Sequence, residues 1–116
     1  MVWDNRVAVH FFNQPTDMRK SHDGLASLCE HTMGFNPLSG QVFVFMNKRR
    51  DRIKALYWDG TGLCLLYKRL EKGNFTNKWA DDSPSSLSTM ELRLLLEGAN
   101  LKGKLPLTPK VFKLET

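Results

Sequence analysis

Three apolar runs in the middle of the chain constrain its fold more than any other feature of the sequence. They are QVFVF at 41–45, RIKALYW at 52–58 and LCLLYKRL at 63–70, and each is rich in residues that favour extended structure. The second and third runs are joined by DGTG, whose Asp59 and Gly60 are a strong signal for a tight turn. The spacing therefore predicts three strands in an antiparallel β-meander.

Neither face of the middle strand is wholly polar. Alternation places Ile53 and Ala55 on one face, together with Tyr57, whereas Lys54 and Leu56 lie on the other. We expect one face to pack on a helix and the other to carry exposed aromatic side chains or to meet a partner.

A strand and a helix are predicted before the meander. VAVHFF at 7–12 is rich in β-formers. Thr16 and Asp17 are candidate N-caps of a helix that runs to about Met33, and Gly34 is placed to end it.

A second helix is predicted after the meander. Ser86 or Ser88 is its candidate cap, and it runs to about Glu97 and ends at Gly98. The apolar positions predicted to be buried are Leu87, Met90, Leu94 and Leu95. The fold class that follows is α+β, with a small antiparallel β-meander sheet of three to five strands packed with two helices.

Domain organisation follows from length and composition. A chain of 116 residues with 41% hydrophobic residues is expected to form one domain, which we place at 1–98. Residues 99–116 have two prolines and four lysines with little periodicity, and are predicted to be a C-terminal tail or an arm that orders on a partner. No secretory signal, membrane span or regular cysteine spacing is apparent, so a cytoplasmic location is expected.

Positive charge is concentrated in the middle of the chain. Residues 41–80 carry nine basic and three acidic side chains, while the segments on either side are close to balance. Five basic residues lie between 48 and 54, and three more lie near the end of the third strand, which adjacent pairing would bring to the same side of the sheet. A solvated turn explains such a cluster as readily as a nucleic-acid interface does. The candidate nucleic-acid-binding residues are Lys48, Arg49, Arg50, Arg52 and Lys54, with Arg19, Lys20, Lys68 and Arg69 as helpers.

Aromatic side chains are interleaved with this charge. Tyr57, Trp58 and Tyr67 lie on the second and third strands, where they either stack on bases or fill the core.

Catalytic and metal-binding chemistry has little support in the sequence. The carboxylates available for a metal-dependent nuclease are Asp17, Asp23, Asp51, Asp59 and Glu71, of which three are explained by a cap or a turn. Cys29 and His31 are two residues apart on the predicted helix and face different sides, so zinc is not expected, and His22 and Cys64 would have to complete such a site by chance. We therefore expect no catalytic residues, no metal and no cofactor.

Three blocks of the sequence closely resemble one known family. They are PTDMRKSHDGLASL at 15–28, the long segment from NPLSG to KGNF at 36–75, and LSTMELRLLLEG at 87–98. In order and spacing they are similar to the accessory protein of the insertion sequence 66 family of bacterial mobile elements, the product of the second open reading frame, often called TnpB. This chain departs from the family pattern in two places. Many members have Gly where this chain has Gln14, and many have a Pro-containing segment after the position of Phe75.

The resemblance implies a role in transposition beside a separate, larger transposase that carries the cutting and joining chemistry. The expected partners are DNA and that transposase, with no membrane partner. The function expected is a non-catalytic accessory factor that binds DNA or the transposase–DNA complex through the basic hairpin. A protein-interaction module that contacts the transposase without touching DNA is the alternative, and a small metal-dependent nuclease is a third.

Overall fold

The part of the chain that the structure describes forms one sheet with a helix against each face. The computed structural model describes Asp4, residues 6–75 and residues 86–97. Strands and helices alternate along the first part of the chain and then give way to the meander. In chain order the elements are β1 (Val9–Phe11), α1 (His22–Ser27) with its π-helical continuation (Leu28–Met33), β2 (Val42–Met46), β3 (Arg52–Trp58), β4 (Leu63–Arg69), β5 (Ser86–Leu87) and α2 (Thr89–Leu96).

The meander predicted from the apolar runs is confirmed. β2 pairs with β3 and β3 pairs with β4, both antiparallel, and β3 has the predicted bounds. The register places Phe43 opposite Leu56, and Arg52 opposite Arg69. The α+β class is also confirmed, with the strands in the order β4-β3-β2-β1-β5.

The other half of the sheet contains the one parallel pair among the described strands. β1 lies beside β2 in parallel, with Val9 opposite Val42, and β5 adds to β1 in the antiparallel sense. A parallel neighbour needs a connection that crosses from one end of the sheet to the other. α1 and its π-helical continuation supply that crossover, which places them against one face of the sheet.

Each face of the sheet carries its own hydrophobic cluster. On the α1 face, Leu25 and Cys29 pack with Phe43 and Phe45, all fully buried. On the opposite face, Leu92 and Leu95 of α2 pack against the residues that alternation assigned to that side of β3. Burying a side chain of this size contributes about 1.5–3 kcal/mol. The expectation that one face would be left for exposed aromatics or a partner is therefore wrong, because α2 covers it.

The first helix begins later than the sequence predicted. Thr16 is buried, and its backbone N–H donates to Met46 O at 2.8 Å, so this part of the chain extends along the end of β2 instead of coiling. Ser21 is the N-cap, and Asp17 is not. The predicted end is confirmed, because Gly34 adopts a left-handed conformation with φ of 78°.

One of the two predicted N-caps of the second helix, Ser88, is confirmed. Ser88 forms a capping box with Glu91, in which the Ser88 side chain accepts from Glu91 N at 3.0 Å and the Glu91 carboxylate accepts from Ser88 N at 3.1 Å. Because the helix begins at Thr89, Leu92 and Leu95 face the sheet, while Met90 is 61% exposed, so the prediction that Met90 is buried is wrong. The predictions for Gly98 and for the tail at 99–116 lie outside the described residues.

Candidate nucleic-acid interface

Asn47 organises the turn that presents the basic cluster. Its side-chain oxygen accepts from Asp51 N at 3.1 Å and from Arg52 N at 3.0 Å, and its amide donates to Asp51 Oδ1 at 2.7 Å. That last bond lowers the pKa of the Asp51 carboxyl. The turn is therefore closed by its own polar side chains, which leaves Lys48 and Arg49 exposed at its tip.

Arg50 has a structural position in the same turn. It adopts a left-handed backbone conformation with φ of 61°, and its guanidinium donates to Phe75 O at 3.3 Å. Phe75 N donates in return to Arg50 O at 2.6 Å, and Asn74 donates to Arg49 O at 2.6 Å. Arg50 thus ties the turn to the segment that follows β4, and it is only partly exposed.

A groove of about 350 Å³ lies between this turn and the segment that precedes α1. Among the described residues, four basic side chains line it, and Asp17 is the one acidic residue in its lining. Arg19 donates to Asp17 Oδ2 at 2.6 Å, and this hydrogen bond lowers the pKa of the Asp17 carboxyl to about 2. Asp17 therefore offsets the charge of Arg19 and leaves a net positive groove. Its lining residues are Thr16, Asp17, Met18, Arg19, Asn47, Lys48, Arg49 and Arg52.

Lys54 supports one side of the groove from the interior of the protein. It is only 6% exposed, and its ammonium donates to Met18 O at 2.8 Å and to Lys20 O at 2.7 Å. These bonds hold the segment before α1 against β3. The candidate list placed Lys54 in the interface, but its charged group faces backbone carbonyls and not solvent.

The remaining basic candidates differ in their exposure and in their hydrogen-bond partners. Lys68 is half-buried and donates to Leu96 O, where a cation also interacts favourably with the C-terminal end of α2. Arg69 is exposed and donates to the Glu71 carboxylate at 2.9 Å. Lys20 is exposed. The structure thus brings Arg19, Lys48, Arg49 and Arg52 into one groove, leaves Lys20 and Arg69 exposed, and gives Arg50, Lys54 and Lys68 structural partners.

Sequence reasoning named Arg19 as a helper but did not predict the second wall of the groove, to which Arg19 belongs. Thr16 and Met18 carry no charge, and the segment was predicted to be helical, so no periodic signal identified it. The Asp-x-Arg spacing of Asp17 and Arg19 was a usable clue, because Asp4 and Arg6 form the same side-chain pair at 2.6 Å.

Four of the five candidate carboxylates, Asp17, Asp51, Asp59 and Glu71, form hydrogen bonds or ion pairs with nearby groups. Asp59 accepts from Thr61 N and Gly62 N, both at 2.9 Å, and these bonds lower its pKa to about 2. Asp17 and Asp51 are held by the partners given above. Across the described ranges, no three His, Cys, Asp or Glu side chains are grouped so that they could hold a metal ion. Burial raises the pKa of the Cys29 thiol to about 12.

The described helices include none that is both long and apolar enough to cross a membrane.

Comparison with known proteins identifies one matching family and two similar proteins. A family model described as "IS66 Orf2 like protein" matches residues 7–105. Two uncharacterized proteins of Sinorhizobium fredii (strain NBRC 101917 / NGR234) are also similar to this chain. One, y4jC, is 39% identical over 85 residues, which are 73% of each chain, and the other, y4hO, is 36% identical over 83 residues, which are 72% of each chain. No solved structure matches.

Proposed function

The chain belongs to the IS66 Orf2-like family, and from that premise we propose that it is a non-catalytic accessory factor in transposition that binds DNA through its basic groove. Family membership associates the chain with the transposition of an insertion sequence. The direct contact with DNA, alone or in a complex with the transposase, is the part that we add.

The observation that carries this proposal is the arrangement of Lys48, Arg49 and Arg52 along one wall of the groove. None of these three side chains forms an ion pair within 4 Å in the described part of the chain, although Asp51 lies near enough to Arg49 and Arg52 for their charges to help lower its pKa. Two of the three are guanidinium groups, whose planar fork of donors suits phosphate oxygens. Like charges that line one groove repel one another unless an anion lies between them. A phosphate backbone supplies such anions at regular spacing.

Single charge removals test the proposal at fixed ionic strength. Each phosphate contact raises the affinity for duplex DNA by about fivefold at roughly 0.15 M monovalent salt relative to 1 M. We therefore expect Arg49→Ala and Arg52→Ala each to weaken binding to a duplex of the element's terminal sequence by about that factor, measured by fluorescence anisotropy.

Arg93→Ala is the matched control. Arg93 is an exposed arginine on α2, against the opposite face of the sheet, so its loss changes the net charge equally but does not touch the groove. The proposal predicts that this variant keeps the wild-type affinity. Equal losses in all three variants would mean that only net charge matters and would overturn the groove as the binding site.

The alternative is a protein-interaction module that binds the transposase without touching DNA. Met90, exposed on the outer side of α2, is the observation that favours it. Co-purification with the transposase distinguishes the two functions. The alternative is supported if Met90→Ser no longer co-purifies with the transposase, whereas Arg49→Ala and Arg52→Ala still do. It also requires that the wild type has no measurable affinity for DNA.

A further inference from the structure

Tyr67 is a large aromatic side chain left half-exposed on an otherwise well-packed sheet. It lies on β4, the edge strand, directly opposite Lys54 of β3, and is 48% exposed. The Lys54 ammonium lies over its ring at 4.9 Å from the centroid, so the ring has a cation–π contact as well as an exposed surface. The same ammonium is bonded to Met18 O, and Met18 lines the basic groove. The Lys54 side chain therefore connects the Tyr67 ring to the segment that lines the groove.

The backbone beside this ring faces outward. Leu70 N donates to Asp51 O at 2.7 Å, so Arg52 and Arg69 are a pair whose own amide groups point away from each other. The alternation of an antiparallel ladder gives Lys54 and Tyr67 the same arrangement. The N–H and C=O groups of Tyr67 and Arg69 thus lie along the outer edge of β4, where the described residues provide no strand to pair with them.

Two arginines also face each other next to the ring. Arg52 and Arg69 are directly opposite on β3 and β4, and pairs of this type bring side chains closest together. Like charges in this position destabilise a sheet unless a counter-charge is present. Glu71 forms an ion pair with Arg69, whereas Arg52 forms no ion pair within 4 Å among the described residues and has only the more distant attraction of Asp51. The surface is therefore suited to an anion that lies beside an aromatic ring.

We propose that Tyr67 is a stacking platform for an unpaired nucleotide, and that the groove and its extension over Arg52 and Arg69 bind single-stranded nucleic acid in preference to duplex. This inference rests on the proposed function, because it takes the phosphates in the groove as given. In a duplex the flat faces of the bases are buried against one another, so a tyrosine ring has access only to a base that has left the stack. The outward N–H groups at the edge of β4 provide donors for that base or its phosphate.

Two substitutions at Tyr67 test the platform. Tyr67→Leu keeps an apolar side chain but removes the ring, and Tyr67→Phe keeps the ring. Loss of one stacked base weakens binding by roughly 5- to 150-fold. We expect Tyr67→Leu to lose affinity within that range for an oligothymidylate of about 12 nucleotides, a length typical of such sites. Its affinity for duplex DNA should be unchanged, and Tyr67→Phe should bind both probes like the wild type.

The outcomes separate this inference from the proposed function. If the duplex is bound and Arg49→Ala weakens it, but Tyr67→Leu binds the single strand as tightly as the wild type, the platform is wrong and the groove stands. The platform is also overturned if the wild type binds the duplex more tightly than the single strand. The same holds if Tyr67→Leu and Tyr67→Phe both lose affinity for both probes to the same extent. If neither probe binds, both proposals fall. Thermal unfolding of the two variants checks that a loss by Tyr67→Leu reflects the ring and not the fold.

Discussion

Replacing Lys54 by methionine removes the ammonium group that fastens the segment before α1 to the sheet. Methionine keeps most of the aliphatic length, so the packing of the side-chain stem beside Tyr67 is largely retained. What is lost is the pair of hydrogen bonds to Met18 O and Lys20 O, at 2.8 and 2.7 Å, together with the weaker cation–π contact with Tyr67. The substitution therefore isolates the ammonium from its stem.

The magnitude follows from these two bonds. A hydrogen bond from a charged group contributes about 1.5–3 kcal/mol, and a carbonyl left without its donor adds a desolvation cost of similar size. The variant regains the free energy that burying a lysine costs, and the carbonyls are partly rehydrated. We expect a net loss of about 2–3 kcal/mol in the free energy of unfolding, which for a chain of this length is a fall in Tm of about 8–15 °C.

Thermal and urea unfolding followed by circular dichroism measure this loss. Lys48→Met is the matched control, because Lys48 is exposed at the tip of the turn and has no hydrogen-bonded partner among the described residues. Its stability should stay within about 0.5 kcal/mol of the wild type. If Lys54→Met is as stable as Lys48→Met, the ammonium does not fasten the segment, and the structural role assigned to Lys54 is refuted.

Three further outcomes follow from the described contacts. Ser88→Ala breaks the capping box and should cost about 1 kcal/mol of unfolding free energy, whereas Ser86→Ala, in β5, should cost much less in the same urea titration. Asp59→Asn should be less stable than the wild type above about pH 4, and the difference should narrow as the pH falls from about 4 through about 2, because a depressed carboxylate pKa contributes stability only while the group is ionised; a constant difference down to pH 2 would contradict this. Iodoacetamide at pH 8 should modify Cys64 before Cys29, which is fully buried, as read by peptide mass spectrometry; equal rates would contradict that burial.

Much of the fold could be predicted from local signals. The bounds of β3 followed from a period-two pattern ended by an Asp-Gly turn, and Gly34 ended the first helix where a left-handed residue was needed. These features depend on neighbours within a few positions. The parallel pairing of β1 with β2 and the late start of α1 at Ser21 depend on contacts between distant segments, such as that of Thr16 with Met46, and no local pattern encodes them.

The candidate site shows the same division. The charge of the hairpin and its approach to the end of β4 were predicted, because antiparallel pairing of adjacent strands fixes which ends meet. The burial of Lys54 was not, since its carbonyl partners lie 34 and 36 residues away in sequence. Composition does not distinguish among basic side chains, whereas the fold uses Arg50, Lys54 and Lys68 to hold segments together and leaves others, such as Lys48 and Arg49, exposed.

The salt dependence of DNA binding tests the central proposal most directly. We expect a slope of log K against log salt of about −2.5 to −3.5 for duplex DNA. The groove holds Lys48, Arg49 and Arg52, none of which forms an ion pair within 4 Å in the described part of the chain, and Arg19 adds a partial contribution. The range is shallower than the −4 to −5 expected if four to six of the sequence candidates bound phosphate. Arg52→Ala should make the slope shallower by about 0.9, and Arg93→Ala, which lies away from the groove, should leave it unchanged. A flat salt response of the wild type would contradict the proposal that this groove binds a phosphate backbone.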